Sequence, residues 1–120
     1  MPVARDVKHF VPAIDFDTSL AFYRALGWNL NWRADKLAEL ENGNVRFLLQ
    51  DFYAKEWAEN SMVYIVVDSA SDWFEHASRV IDEGDFGAAR VAAPTEEAHA
   101  VVTYVWDPCG VLLHFAEARG

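Results

Sequence analysis

The sequence predicts an α+β fold built from two copies of a βαβββ module, and three observations support this prediction. Strand-like and helix-like periodicities follow one another in the same order in both halves of the chain. A glycine follows each predicted helix, and turn-forming residues separate the predicted strands. A chain of 120 residues is of the size of one domain. We therefore predict a single domain over 1–120, with modules at about 5–51 and 61–118 joined by a connector at about 52–60.

The first module begins with a short strand that leads into a helix. Val7 to Ile14 is mostly apolar, as expected of a short buried strand. From Thr18 to Leu26 the apolar residues take helical spacing, with Asp17 or Thr18 as the N-cap. Gly27 follows at the position where helices commonly end in a left-handed residue.

Three further strands complete the first module, and we place them at 28–33, 37–41 and 45–50. In the first of these strands Trp28, Leu30 and Trp32 alternate with polar residues, which predicts that both tryptophans pack in the core. Asn42-Gly43 separates the other two strands and is a strong signal for a two-residue hairpin turn. The connector that follows shows neither periodicity, so we expect it to be an irregular segment.

The second module repeats this order. Met62 to Val67 is rich in β-branched residues, and Ser69 or Ser71 is placed to cap a helix that runs to about Glu83. Three strands are then predicted at about 90–93, 100–106 and 111–116. The last two strands flank Asp107-Pro108-Cys109-Gly110, in which proline and glycine favour a tight turn. The chain is thus expected to end in a β-hairpin.

The charge of the chain limits its partners. A net charge of −9 would repel nucleic acids and anionic membranes, whereas it would attract a cationic ligand. No apolar run approaches the length of a membrane span, and Cys109 is the only cysteine, which fits a reducing compartment. We predict a cytoplasmic protein with no nucleic-acid or membrane partner.

The two βαβββ modules, the segment from Asp15 to Trp28 and the Asp107-Pro108-Cys109-Gly110 hairpin together resemble the vicinal oxygen chelate superfamily. That superfamily includes glyoxalase I, fosfomycin-resistance enzymes, extradiol dioxygenases and bleomycin-resistance proteins. The bleomycin-resistance branch is the most similar, because it shares the acidic entry to the first helix, the Phe22-Tyr23 pair and the His114-Phe115 strand ending. The resemblance implies a U-shaped mixed sheet around a cleft. It also implies a homodimer whose two crevices lie between the subunits and hold a drug without altering it.

Metal enzymes of this superfamily carry ligands on the first and last strands of each module. The resemblance places the four ligand positions at Lys8, at Leu48 or Gln50, at Met62 and at His114. A lysine would repel a divalent ion, and a thioether is too soft for the metals concerned. Because only His114 is a competent ligand and a catalytic metal needs about three, we expect neither a metal nor another cofactor.

Two alternatives remain open at this point. A slip of the first strand by one residue would bring His9 into the cleft beside His114 and, with a carboxylate such as Glu39, would permit a metal-dependent lyase, transferase or dioxygenase. The chain could instead be a non-catalytic module that acts only through protein partners. Its cleft would then be filled by its own side chains.

The alternation of side chains along the strands selects the residues that would line the cleft. We predict as ligand-binding residues Phe10, Arg46, Leu48, Gln50, Met62, Tyr64, Tyr104 and His114, with Lys8 near the mouth. Aromatic walls in an acidic protein suit a flat, cationic ligand. We therefore expect a metal-free binding protein that sequesters an aromatic or cationic molecule, such as an antibiotic, rather than a catalyst.

The sequence differs at one site from the drug-binding members of the bleomycin-resistance branch. They carry a Trp-Gly pair ahead of the seventh strand, where this chain has His99-Ala100. His99 also lies beside Glu96 and Glu97, and we expect this acidic segment to be solvated.

Overall fold

The computed structural model describes residues 1–119, and both predicted modules are present in it. The elements in chain order are β1 (His9–Ala13), α1 (Phe16–Leu26), β2 (Asn29–Arg33), β3 (Leu37–Asn42), β4 (Val45–Asp51), α2 (Lys55–Asn60), β5 (Met62–Val67), α3 (Ala70–Glu83), β6 (Arg90–Glu96), β7 (Ala100–Trp106) and β8 (Leu112–Ala118). Apart from α2, the order is the one that the periodicities predict.

Each module forms its own four-stranded mixed sheet. The strand orders are β1-β4-β3-β2 in the first sheet and β5-β8-β7-β6 in the second. In both sheets the first strand of the module pairs in parallel with the last, and the other neighbours are antiparallel. The predicted α+β fold of two βαβββ modules is confirmed.

Capping side chains fix where the two longer helices begin. The Asp15 carboxylate accepts a hydrogen bond from the backbone N–H of Thr18 at 3.1 Å, so α1 starts earlier than predicted. The Ser69 hydroxyl caps α3 in the same way by accepting from the N–H of Asp72 at 3.1 Å. At the other end of α1, Gly27 adopts the left-handed conformation expected of it, with φ of 109°.

The larger of two hydrophobic clusters within residues 1–119 joins the two modules on the helical side of the sheets. It contains Phe22 and Tyr23 of α1 together with Leu49 of β4 and Phe115 of β8, all inaccessible to solvent. Trp73 of α3 stacks on Phe115 with ring centroids 4.3 Å apart. Burial of these large side chains is the main source of stability for both modules. The opposite face of each sheet is left without a helix.

A buried carboxylate connects the last hairpin to the first helix. The Tyr23 hydroxyl donates a hydrogen bond to Asp107 Oδ2 at 2.6 Å. Asp107 Oδ1 accepts from the backbone N–H groups of Cys109 at 2.8 Å and Val111 at 3.0 Å. The Asp-Pro-x-Gly turn is therefore held from inside the protein and is attached to α1 of the other module.

Besides the N-cap of α1, which is Asp15 and not Asp17 or Thr18, two details of the sequence interpretation are wrong. The connector is not irregular throughout, because Lys55–Asn60 forms the short helix α2. Trp32 is 42% exposed rather than buried, whereas Trp28 is buried as predicted. A register shift after Leu30 pairs Trp32 with Glu39, and this bulge turns the Trp32 side chain to the helix-free face.

No helix within residues 1–119 is long and apolar enough to cross a membrane.

Candidate ligand-binding site

The helix-free face of the second sheet carries a row of aromatic rings across its middle. Tyr64 of β5 pairs with His114 of β8, which in turn pairs with Tyr104 of β7. The His114 ring centroid lies 5.8 Å from that of Tyr64 and 5.0 Å from that of Tyr104. Three of the eight predicted binding residues thus lie side by side on one face.

A second row extends this surface toward one end of the sheet. Met62, the fourth predicted residue of this sheet, lies there and is 60% exposed. The Trp106 ring lies 6.5 Å from that of Tyr104, and the Arg90 guanidinium carbon lies 3.6 Å above the Trp106 ring centre. Arg90 is exposed and is absent from the predicted set, because one cation at the start of a weak strand gives no recognisable signal.

The loop between β6 and β7 brings two more polar groups to the same rings. Glu97 Oε1 accepts a hydrogen bond from the Tyr104 hydroxyl at 2.9 Å. The His99 ring is exposed, as expected, and its centroid is 6.1 Å from that of Tyr64. Glu97 is only half-exposed, so the expected solvated segment in fact contributes to this surface.

We call the surface formed by these five rings the aromatic wall. Its members are Tyr64, His99, Tyr104, Trp106 and His114.

The electrostatics of the aromatic wall favour a neutral histidine at its centre. Burial lowers the pKa of His114, and this effect together with the nearby His99 outweighs the opposing charge of Glu97. His114 Nε2 is buried and has no hydrogen-bond partner within residues 1–119. The hydrogen bond to Glu97 raises the pKa of Tyr104, so this phenol remains protonated at neutral pH.

The other four predicted residues lie on the helix-free face of the first sheet. Phe10 of β1 pairs with Leu48 of β4, and Phe10 is 44% exposed. Arg46 and Gln50 occupy the same face of β4, two residues before and after Leu48. Arg46 forms ion pairs with Glu41 and with Asp6, the latter at 3.4 Å. Its charge is therefore already paired within the chain.

The residues at the metal-ligand positions do not fit a metal. Lys8 Nζ forms an ion pair with Glu39, whose second oxygen accepts a hydrogen bond from Asn31 Nδ2 at 3.0 Å. The hydrogen bonds from Lys8 and Asn31 lower the pKa of Glu39, so this carboxylate serves an internal network. Among residues 1–119 no three His, Cys, Asp or Glu side chains are grouped to hold a metal ion.

The alternative set of metal ligands, in which His9 joins His114 in the cleft, is not brought together either. His9 pairs with Phe47, which is 4% exposed and packs against Tyr23 of α1 at a ring distance of 4.8 Å. His9 is therefore on the opposite face of the sheet from Phe10, and the one-residue slip has not occurred.

A pocket of about 470 Å³ lies elsewhere, where the β3–β4 turn meets the end of β5 and the start of α3. Trp28, Asp68, Asp72 and Trp73 are among its lining residues, but none of the eight predicted binding residues is. The aromatic wall is an open sheet face in the single chain, so a second surface would be needed to close it into a cleft.

Comparison with known protein families supports the observed fold and shows the superfamily to which the chain belongs. The model of the Glyoxalase/Bleomycin resistance protein/Dioxygenase superfamily matches residues 7–115. This chain belongs to that superfamily. A comparison with curated proteins gives no match.

Three solved structures share the fold over nearly all of this chain. A bleomycin resistance determinant encoded on the transposon Tn5 matches with a TM-score of 0.82 and 21% identity, covering 98% of this chain and 100% of its own. A bleomycin-binding protein complexed with bleomycin matches with a TM-score of 0.81 and 22% identity, covering 97% and 100%. The bleomycin-binding protein from Streptomyces verticillus, complexed with copper(II)-bleomycin, matches with a TM-score of 0.84 and 20% identity, covering 99% and 100%. At this level of identity the shared property is the fold.

Proposed function

We propose that this superfamily member is a metal-free binding protein that sequesters a small aromatic or cationic molecule. The observation that carries this proposal is the aromatic wall, where exposed and half-buried rings lie beside the Glu97 carboxylate. Flat conjugated groups stack on such rings, and a carboxylate beside the rings favours a cation.

Two further observations agree with this function. Three superfamily structures with the same fold are bleomycin resistance or bleomycin-binding proteins. The net charge of −9 would also raise the local concentration of a cationic ligand.

We further propose that two copies of the chain associate and that each cleft lies between them. Apolar side chains on both helix-free faces are exposed, including Phe10 at 44%, Met62 at 60% and Val66 at 70%. Soluble monomers rarely expose contiguous apolar surface of this kind. A second copy would cover these faces and convert the open wall into a cleft.

Titration with bleomycin in metal-free buffer, followed by tryptophan fluorescence, tests the binding function. We expect saturable quenching at one ligand per subunit, because Trp106 is part of the aromatic wall. Tyr64→Ala should weaken binding about 2- to 10-fold through the loss of ring contact. Tyr53→Ala is the matched control, since Tyr53 is similarly exposed at 41% but lies outside the wall. Absence of saturable binding, or equal effects of both substitutions, would contradict the proposal.

Sedimentation equilibrium tests the association of two copies. Val66→Asp places a charge on the second sheet's free face and should shift the protein toward monomer. Ala21→Asp introduces the same group on the exposed side of α1 and should leave the equilibrium unchanged. A wild-type protein that is monomeric at all concentrations would exclude the shared cleft.

A further inference from the structure

We infer that the ligand of the aromatic wall carries an anionic group as well as a cationic one, and that Arg90 recognises the anion. This inference rests on the proposed function, because Arg90 lies on the same face of the second sheet. It narrows the ligand class from a flat cation to a flat molecule with charges of both signs.

Contact with Trp106 holds the Arg90 side chain in place. Its guanidinium carbon lies 3.6 Å above the Trp106 ring centre, a distance typical of a close cation–π contact. A guanidinium that rests on a ring leaves the N–H groups at its edge available for hydrogen bonds. Arg90 is thus oriented before a ligand arrives, although it is exposed.

Arg90 differs from the arginines that pair within the chain. Arg33, Arg46 and Arg119 each form an ion pair with a carboxylate. Within residues 1–119 the Arg90 guanidinium forms no ion pair, and the same holds for Arg5, Arg24 and Arg79. Of these four arginines only Arg90 lies over an aromatic ring in the described part of the chain. The feature specific to Arg90 is thus an unpaired guanidinium that lies over a ring of the aromatic wall.

A ligand that covers the wall would remove water from Arg90. Desolvating a charged group without a partner is unfavourable, so a ligand that fits this surface has to supply an opposite charge. A carboxylate, a sulfonate or a phosphate would meet the guanidinium in a two-point hydrogen-bonded pair.

The opposite charge lies at the other side of the rings. Glu97 is held by the Tyr104 hydroxyl, and the Trp106 ring that carries Arg90 lies beyond Tyr104. A conjugated ligand stacked on Tyr104 would thus have an acidic group of the protein on one side and a basic group on the other. This arrangement of charges is complementary to a flat molecule that carries a positive charge at one end and a negative charge at the other.

Rhodamine B and its ethyl ester provide a matched pair of probes. Both carry the same flat cationic ring system, but only rhodamine B has a free carboxylate. We expect fluorescence anisotropy to show that the wild-type protein binds rhodamine B at least about tenfold more tightly than the ester. Arg90→Gln should abolish this preference, and Arg90→Lys should retain part of it. Arg79→Gln, an equal loss of charge at an exposed position on α3, should leave it unchanged.

The other outcomes overturn the inference in distinguishable ways. Equal affinity for the two dyes in the wild type and in Arg90→Gln would exclude anion recognition by Arg90 and leave the proposed function intact. Weaker self-association of Arg90→Gln in sedimentation would assign Arg90 to the subunit contact instead. Binding of neither dye would exclude a flat zwitterion as ligand, and the bleomycin titration would then decide separately whether the proposed function also fails.

Discussion

Replacing Asp107 with asparagine should change how the stability of this protein depends on pH. Asp107 is inaccessible to solvent, and burial raises its pKa from 3.8 to about 6 despite the hydrogen bonds from Tyr23, Val111 and Cys109. Asparagine keeps an acceptor for the two backbone N–H groups, and its amide faces a tyrosine hydroxyl that accepts as well as donates. The substitution therefore removes the charge while preserving the turn.

The direction of the effect follows from the two protonation equilibria. Between pH 3.8 and about 6 the folded protein keeps the Asp107 proton, whereas the unfolded chain has released it. The free energy of unfolding contributed by this group accordingly falls as the pH rises through that interval. One pKa unit corresponds to about 1.4 kcal/mol, and at pH 4 part of the Asp107 population in the unfolded chain is already ionised, so the wild type should lose about 2 kcal/mol relative to Asp107→Asn between pH 4 and pH 7.

Urea denaturation of the two proteins in parallel from pH 3.5 to pH 7.5 measures this difference. All other titrating groups are common to both proteins, so their contributions cancel to first order when the free energies of unfolding are subtracted. A difference that does not vary with pH would refute the reasoning. So would a wild type that gains relative stability as the pH rises, because that is the behaviour of a carboxylate whose pKa is lowered by folding.

Two further substitutions test the core on which the site is built. Tyr23→Phe removes the hydroxyl that donates to Asp107, so we expect urea denaturation to show a free energy of unfolding lower by about 1–3 kcal/mol. The loss should be larger at pH 7 than at pH 4, because Asp107 is charged at the higher pH. Equal losses at both pH values would contradict this expectation. Phe115→Ala removes a fully buried ring that stacks on Trp73 and leaves a cavity in the core. Calorimetry should therefore show a destabilisation of about 3–5 kcal/mol. A loss below about 1 kcal/mol would contradict the place of Phe115 in the core.

Local signals in the sequence predicted most of the secondary structure. Gly27 and the Asn42-Gly43 turn mark chain reversals that depend on a few adjacent residues, and both glycines have positive φ. The strands Met62–Val67 and Ala100–Trp106 have the predicted bounds, because alternation and β-branched residues are properties of the segment itself. Trp32 was misplaced because a bulge depends on pairing with another strand and leaves no mark in the alternation.

The candidate site likewise contains residues that the sequence predicts and residues whose positions depend on tertiary contacts. Strand alternation was sufficient to predict that Tyr64, Tyr104 and His114 share a face, and their registers place them side by side. Strand alternation does not predict that Glu97 belongs to the site, because its carboxylate reaches Tyr104 only through the conformation of the β6–β7 loop. Arg90 was likewise missed, because its contact with Trp106 depends on how β6 is paired with β7.

The two βαβββ modules, their turns and the alternation that leaves one face of each sheet free can all be predicted from the amino-acid sequence. These features follow from the steric preferences of short segments and from the placement of apolar side chains along them. The support that Tyr23 of α1 gives to the Asp107 turn, and the positions of Glu97 and Arg90 at the rings of the second sheet, depend on tertiary contacts. Contacts between residues that are distant in sequence depend on strand register and loop path, which are set when the whole core packs and not by any one segment.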